Sequence, residues 1–376
     1  QLAITVEEIA RALDHHHQID MLILDFSKAF DTVPHQRLLG KIDHYGIRDN
    51  TKNWIKTWLT ARTQRVVVDG AASETIDVES GVPQGTVLGP LMFLLYINDI
   101  GEDIGSTIKL FADDCLLFRK IDKDEDAQDL QKDLQKLHKW TEKWQMLFNA
   151  KKCYSMRIHR KQKPIIFNYT MRDEVLAAVS SQSYLGMEIH ERLSWKHHIK
   201  AVAAKANRTL GFIRRNLSLC SSAMKKQAYT TLVRSQLEYG AAIWDPYRQN
   251  LIDSLEKVQR RGIRFITGNH SREDSVTAMR LNIGLPTLQE RRLESRLAMM
   301  YKILHHQIAI PLPDYISQKD RATRSQHHLR FTRLGTSSDS YKYSFFPRTM
   351  KDWDELPTNI IELPTLKQFK EAISCE

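Results

Sequence analysis

The chain has little cysteine and no long apolar run. Its four cysteines, at positions 115, 153, 220 and 375, are scattered without a CxxC pair. That spacing speaks against a disulfide framework or a zinc knuckle and for a reducing, intracellular home in cytoplasm or nucleus. No stretch approaches the ~18 to 20 apolar residues that a membrane-spanning helix needs, and no signal-like apolar run opens the chain, so no membrane partner is expected. Internal repeats are absent too. The first residue is Gln1 rather than Met, as expected of a fragment or an excised region. What is there is 376 residues, enough for two or three domains, with 55 Lys and Arg against 45 Asp and Glu. The resulting formal charge of +10 leans toward a polyanionic partner.

The most informative stretch runs from Lys109 to Phe118, where apolar residues flank the pair Asp113-Asp114. It reads as two short strands joined by a tight turn with both carboxylates at the tip. Carboxylates packed that closely repel each other, and burying them uncompensated costs several kcal/mol, so a cation is the natural remedy. Hard oxygen donors suit magnesium or manganese. On its own the tetrapeptide reads more readily as an ordinary solvated turn, so a third carboxylate has to be found.

It lies upstream. Met21 to Asp25 reads as an apolar strand that breaks at Asp25, and the C-terminal end of a buried strand is a frequent place for an active site. Before it, Val6 to His17 has helical spacing and ends in three histidines that cannot share one helix face. Residues 38 to 59 read as helical with core-facing aromatics, and 65 to 78 as a hairpin. Ser80 to Pro90 is a Gly/Pro-rich turn opening an apolar helix; its glycines allow close backbone approach, and Gln84 offers an amide for a base or sugar edge. After the hairpin come an amphipathic helix from Ala127 to Leu147, a strand from Tyr154, and a short strand around Tyr184-Leu185-Gly186. From Trp195 the character changes to three helical segments (195 to 217, 222 to 244, 251 to 266) carrying Lys205, Arg208, Lys257, Arg260 and Arg261, which could track a phosphate backbone or simply face solvent. Residues 317 to 340 form a polar connection, and Phe345-Phe346 and Trp353 give the tail enough apolar surface to dock.

Asp25, Asp113 and Asp114 on neighbouring strand ends could hold two divalent ions about 3.5 to 4 Å apart, as in-line displacement at phosphorus requires. With a Gln-bearing loop and basic helices, the physical reading is phosphoryl transfer on a nucleic-acid template.

At this point the chain resembles a known family. Leu24-Asp25 through Phe30-Asp31, Gly81-Val82-Pro83-Gln84-Gly85, Phe111-Ala112-Asp113-Asp114 and Tyr184-Leu185-Gly186 are similar, in order, to motifs A, B, C and E of reverse transcriptases. The Phe-Ala-Asp-Asp form and the Ser-Lys-Ala-Phe-Asp context resemble the non-LTR retrotransposons of jockey and CR1 type. The resemblance implies an α+β fold: a right-hand palm with an antiparallel sheet and packed helices (1–192), a helical thumb (193–268), and a C-terminal helical region of unknown role (269–376). It implies Asp25 and Asp113 as principal ligands of two Mg2+ ions (or Mn2+), with the Phe26 carbonyl beside them and Asp114 more peripheral. Phe30 would be the steric gate against a ribose 2′-hydroxyl; Gln84 and Gly85 would sit near the incoming dNTP. Leu185 and Gly186 would belong to the primer grip, and Lys152 would protonate pyrophosphate, with the adjacent Lys151 able to serve instead. Asp31 reads as structural. An RNA template and a DNA primer or target DNA would be the partners.

The resemblance departs at the front, where only 24 residues precede Asp25 and the fingers are expected to be largely missing. A second reading is therefore a catalytically inert remnant that binds RNA or DNA through its basic helices. A viral RNA-dependent RNA polymerase fits less well, because Phe30 stands where a ribose-accepting polar residue is needed.

Overall fold

A computed structural model describes residues 1–318 and 329–374; Cys375 and part of the polar connection at 317–340 lie outside the described residues. Gln18–Asp25 is a strand with every residue but the last buried. It has to be central, because a strand covered on both faces needs ladder partners on both edges. It pairs antiparallel with Asp114–Ile121 on one side and Tyr154–Ile158 on the other. Thr107–Phe111 extends the sheet beyond Asp114–Ile121, and Ala177–Ala178 closes the opposite edge with the one parallel pairing, giving five strands. The fold is thus the expected mixture of an antiparallel-dominated sheet and packed helices.

An apolar core packs against one face of this sheet. Leu22, Leu24 and Leu117 meet Leu130, Leu134 and Leu137 of helix Asp124–Trp144, Leu38 and Ile42 of helix His35–His44, and Phe93 and Tyr96 of helix Leu88–Ile97. Helix Asp124–Trp144 starts where it does because the Asp126 carboxylate accepts the free N–H groups of Asp122 and Lys123. The stretch from 38 to 59 is two helices rather than one, broken where Gly46 takes φ +83° before Asp49–Thr60 begins. Of the aromatics expected to face the core there, Tyr45 and Trp54 are exposed.

The chain divides into two compact units, residues 17–180 and residues 1–16 together with 181–376. The changeover therefore falls at 16/17 and 180/181, not at 192. The reason is at the N-terminal helix, Leu2–Asp14. Its Asp14 carboxylate accepts the N–H groups of Ser337 and Ser338, and Glu7 accepts that of Phe346, so these partners lie in the C-terminal part.

Among its described residues the second unit is helical apart from the hairpin Ser181–Tyr184/Met187–His190 and an isolated bridge between Gln318 and Phe331. Helix Lys196–Asn216 packs on Gln249–Thr267, and Leu288–Leu304 packs on Phe345–Asp354 with Trp353 fully buried. The segment read as one helix from 222 to 244 is broken: a π turn, Tyr229–Arg234, separates Ser222–Ala228 from Ser235–Glu238, and Gly240 at φ +62° precedes Ala241–Trp244. Tyr229 lies against Gly262, where no Cβ would fit, and its hydroxyl donates to Gln259. Among the described residues no helix is long and apolar enough to cross a membrane.

Candidate active site

Asp25 ends its strand and Asp114 begins the next, and the register sets them directly opposite. Opposed residues of antiparallel strands share a face with Cβ atoms about 4.5 to 5.5 Å apart. Phe111 closes the hairpin against Asp114, which leaves Ala112 and Asp113 as its two-residue turn. Ala112 takes φ +50°, a left-handed conformation that favours glycine. Burial, then the charges of Asp113 and Asp25, push the Asp114 carboxyl above its ordinary range. The three acids named from the sequence are thus gathered at one corner of the sheet.

Lys152 is brought to the same corner by a single 3-10 turn, Ala150–Lys152, with the Asn149 N–H donating to the Asp25 carbonyl at 2.8 Å. Lys152 Nζ lies 3.6 Å from Asp25 Oδ1. Phe26 is buried, bridges Phe148 and stacks on its ring at 4.4 Å, which fixes the backbone that follows Asp25.

Phe30 stacks on Phe93 with centroids 4.5 Å apart. Its carbonyl accepts the Val82 N–H, and the Val33 carbonyl accepts that of Gly81, so the Gly/Pro loop is laid directly along residues 30 to 33. The approach is so close that a Cβ on Gly81, at φ +85°, would stand 2.7 Å from the Asp31 carbonyl oxygen. Asp31 organises the loop: its side chain accepts from Gln84 Nε2 at 2.9 Å and its carbonyl from Ser80 Oγ at 2.8 Å. Gly85 also has positive φ and has open space beside it. A cleft of ≈ 1180 Å³ runs from Asp31 and Gln84 to Arg62.

Two residues here were not named from the sequence. His35 Nε2 and Arg62 Nη2 both donate to the Gly81 carbonyl, at 2.9 and 2.8 Å. Burial lowers the His35 pKa, and Arg62 adds to the effect. A histidine after proline at a helix start and an arginine after a helix end carry no periodic signal that would single them out.

Hard carboxylate donors fit Mg2+ or Mn2+. Among the described residues no cluster of three or more His, Cys, Asp or Glu stands ready to hold an ion. Mg2+ commonly takes only one or two carboxylates and completes its octahedron with substrate phosphates and water, so two opposed acids and one at the turn suit it chemically.

Leu185 and Gly186 belong to the other unit, where they form the two-residue turn of the hairpin, both at positive φ. Tyr239 braces this turn: its hydroxyl donates to the Leu185 carbonyl at 3.1 Å and its ring covers Gly186.

Comparison with known proteins bears on the same residues. The family model for reverse transcriptase (RNA-dependent DNA polymerase) matches residues 4–189. A probable RNA-directed DNA polymerase from transposon X-element of Drosophila melanogaster is 26% identical over 287 residues, covering 71% of this chain and 30% of that protein. The RNA-directed DNA polymerase from mobile element jockey of Drosophila funebris is 26% identical over 284 residues, with the same shares of 71% and 30%. Among solved structures, apo telomerase from Candida tropicalis aligns over 80% of this chain and 49% of that one at 11% identity, with a TM-score of 0.41. The chain spans about 30% of the length of these two relatives.

Proposed function

Residues 4–189 belong to the reverse transcriptase family, and on that premise we propose that the chain is the palm and thumb part of the RNA-directed DNA polymerase of a non-LTR retrotransposon. It joins a dNTP to the 3′-hydroxyl of a DNA primer on an RNA template, inside the cell. The observation that carries the reading is the Asp25–Asp114 register at the tip of the Asp113 turn, within the matched segment.

Asp25, Asp113 and Asp114, with the Phe26 carbonyl, would hold the divalent ions. Bound there, Mg2+ would lower the pKa of the primer hydroxyl and neutralise charge on the triphosphate. The chain's own groups do the rest. Phe30, fixed on Phe93, presents a ring under the sugar and excludes a 2′-hydroxyl by clash. Gln84, held by Asp31, and Gly85 border the nucleotide. Lys152 Nζ can give its proton to the departing pyrophosphate. The exposed Lys200, Lys205, Arg208, Lys257, Arg260 and Arg261 of helices Lys196–Asn216 and Gln249–Thr267 take duplex phosphates as the thumb, with Leu185 and Gly186 as primer grip.

A second reading, an inert remnant that only binds nucleic acid, is favoured by one observation: an ammonium, Lys152, already stands at the carboxylate of Asp25. Single-nucleotide extension of a primed RNA template separates the two. Extension by the wild-type chain that is lost in Asp113→Asn supports polymerisation, and undiminished extension in that variant overturns it. Tight binding of primed template by a wild-type chain that never extends it supports the remnant.

A further inference from the structure

The helical unit contains a cavity of ≈ 780 Å³ beside the Leu185-Gly186 turn, lined by Gly186, His198, Lys205, Arg208, Gln236 and Tyr239 among others. Its volume is in the range that takes a small-molecule or nucleotide-sized group.

Two polar atoms here are unusual. His198 is 4% exposed, and its Nδ1 accepts the Glu188 N–H at 3.3 Å, which leaves the proton on Nε2. That Nε2–H has no hydrogen-bond partner. Trp195 and Trp244 meet the imidazole at steep angles and hold the ring without offering Nε2 an oxygen or nitrogen. Gln236 donates through Nε2 to Thr209 and to the Leu232 carbonyl, while its Oε1 is buried without a donor. An unmade buried hydrogen bond costs about as much as a made one contributes, or more, so a donor and an acceptor left unpaired on two residues that line one cavity mark a place built for a polar guest.

The rest of the lining says which guest. Lys205 and Arg208 are exposed, one turn apart on the same helix, and present two cations. Tyr239 is 58% exposed although its hydroxyl is engaged by Leu185 and its ring lies beside Gly186. Cations for a phosphate, an aromatic surface for a base and a donor with an acceptor for the base edge are the three elements of single-strand recognition.

We propose that this cavity receives one unstacked nucleotide of a bound strand, its phosphate on Lys205 and Arg208, its base against Tyr239 and its edge on His198 Nε2 and Gln236 Oε1. Every base carries a donor next to an acceptor on its pairing edge, so the pocket tolerates all four. This inference rests on the proposed nucleic-acid binding and goes beyond it by assigning a subsite away from the carboxylates.

The test is a scan of a primed RNA template with a 5′-overhang on the primer, in which a single abasic residue is placed at each position in turn and affinity is read by fluorescence anisotropy. One position is expected to lose about tenfold on losing its base. That sensitivity should vanish in Gln236→Leu and shrink in the exposed-site variant Lys205→Ala, with melting temperatures confirming that both fold. Tight binding that is indifferent to every abasic position overturns the pocket alone and leaves buried water as its occupant. Protection of His198 by a free deoxynucleoside monophosphate, with a flat abasic scan, overturns the in-strand assignment in favour of a free nucleotide. Failure to bind any oligonucleotide overturns both this and the proposed function.

Discussion

Lys152 and Asp25 form an ion pair, Nζ to Oδ1 at 3.6 Å, at the corner of the sheet where Asp25 faces Asp114. The pair is partly exposed, so its net strength is on the order of 1 kcal/mol or less. It nevertheless competes with a divalent ion for the same oxygen. Lys152→Ala is expected to lower the Mg2+ concentration for half-maximal binding about two- to fivefold, read by Mn2+ electron paramagnetic resonance with Mg2+ competition, a conversion of that energy. If Nζ also protonates pyrophosphate, extension at saturating Mg2+ should fall by roughly a hundredfold. Lys152→Arg separates the roles, restoring the wild-type metal affinity without the rate. Unchanged ion affinity in the alanine variant would dismiss the competition.

Asp114 faces two other acids from a half-buried position, and its carboxyl is held above the ordinary range. A raised carboxyl pKa means the folded state holds its proton more tightly than the unfolded one, so stability is lost as pH rises through the folded value. Asp114→Asn should therefore raise the melting temperature at pH 8, by on the order of 2 °C, and make no difference near pH 3. The same variant should slow extension. Equal melting of the two proteins at pH 8 would refute the repulsion.

Phe30 and Phe93 stack, so the proposed gate has a wall behind it. Phe30→Val should relax discrimination against ribonucleotides by roughly ten- to a hundredfold in single-nucleotide extension, with the deoxynucleotide rate much less affected. Phe93→Leu, which leaves the gate ring but loosens its support, should give a smaller relaxation. Sugar preference unchanged in both would remove Phe30 from the site.

Glu7 is 2% exposed in the N-terminal helix; one oxygen accepts the Phe346 N–H and the other has no partner. Burial pushes its pKa up to about 7, against the opposing pull of Ser344, the Phe345 and Phe346 backbone and Arg11, while Tyr315 and Tyr341 face it from the C-terminal part. The folded state keeps the proton between pH 4.5 and 7, so this stabilisation is full below about 4.5 and is lost as pH rises through 7. Two and a half units correspond to roughly 3 kcal/mol as an upper bound. Thermal melts of Glu7→Gln should lose that slope and show the larger gain over wild type at pH 8 than at pH 5. Parallel curves would show that Glu7 does not titrate in this range.

The placement of Asp25, Asp113 and Asp114 was legible because each is a local event: a carboxylate ending an apolar run, and a pair at a turn between two such runs. Lys41 was not. Its ammonium lies 4.8, 4.7 and 3.8 Å from the ring centroids of Tyr96, Trp140 and Trp144 and pairs with Asp99. Those aromatics have the spacing of ordinary core residues, and nothing in the sequence near them says that they enclose a cation from a helix far upstream. The same holds for His35 and Arg62 on the Gly81 carbonyl. Nor does the apolar stripe of Leu2–Asp14 reveal what it covers, since amphipathicity gives a face and not a partner.

That helix has a consequence for the order of synthesis. Residues 17–180 form a compact unit between the two parts of the other. Leu2, Val6, Ile9 and Leu13 are synthesised well before the residues that receive Glu7 and Asp14, which are at 337 to 346. At translation rates of about 5 to 20 residues per second, that helix waits on the order of tens of seconds with its apolar stripe unpaired while the segment behind it can already close around its sheet. Helix Leu2–Asp14 and the segment at 337 to 346 thus meet only after the intervening sheet can close, and a nascent chain stalled before residue 337 would carry a sheet ready to fold and a helix with nowhere to dock.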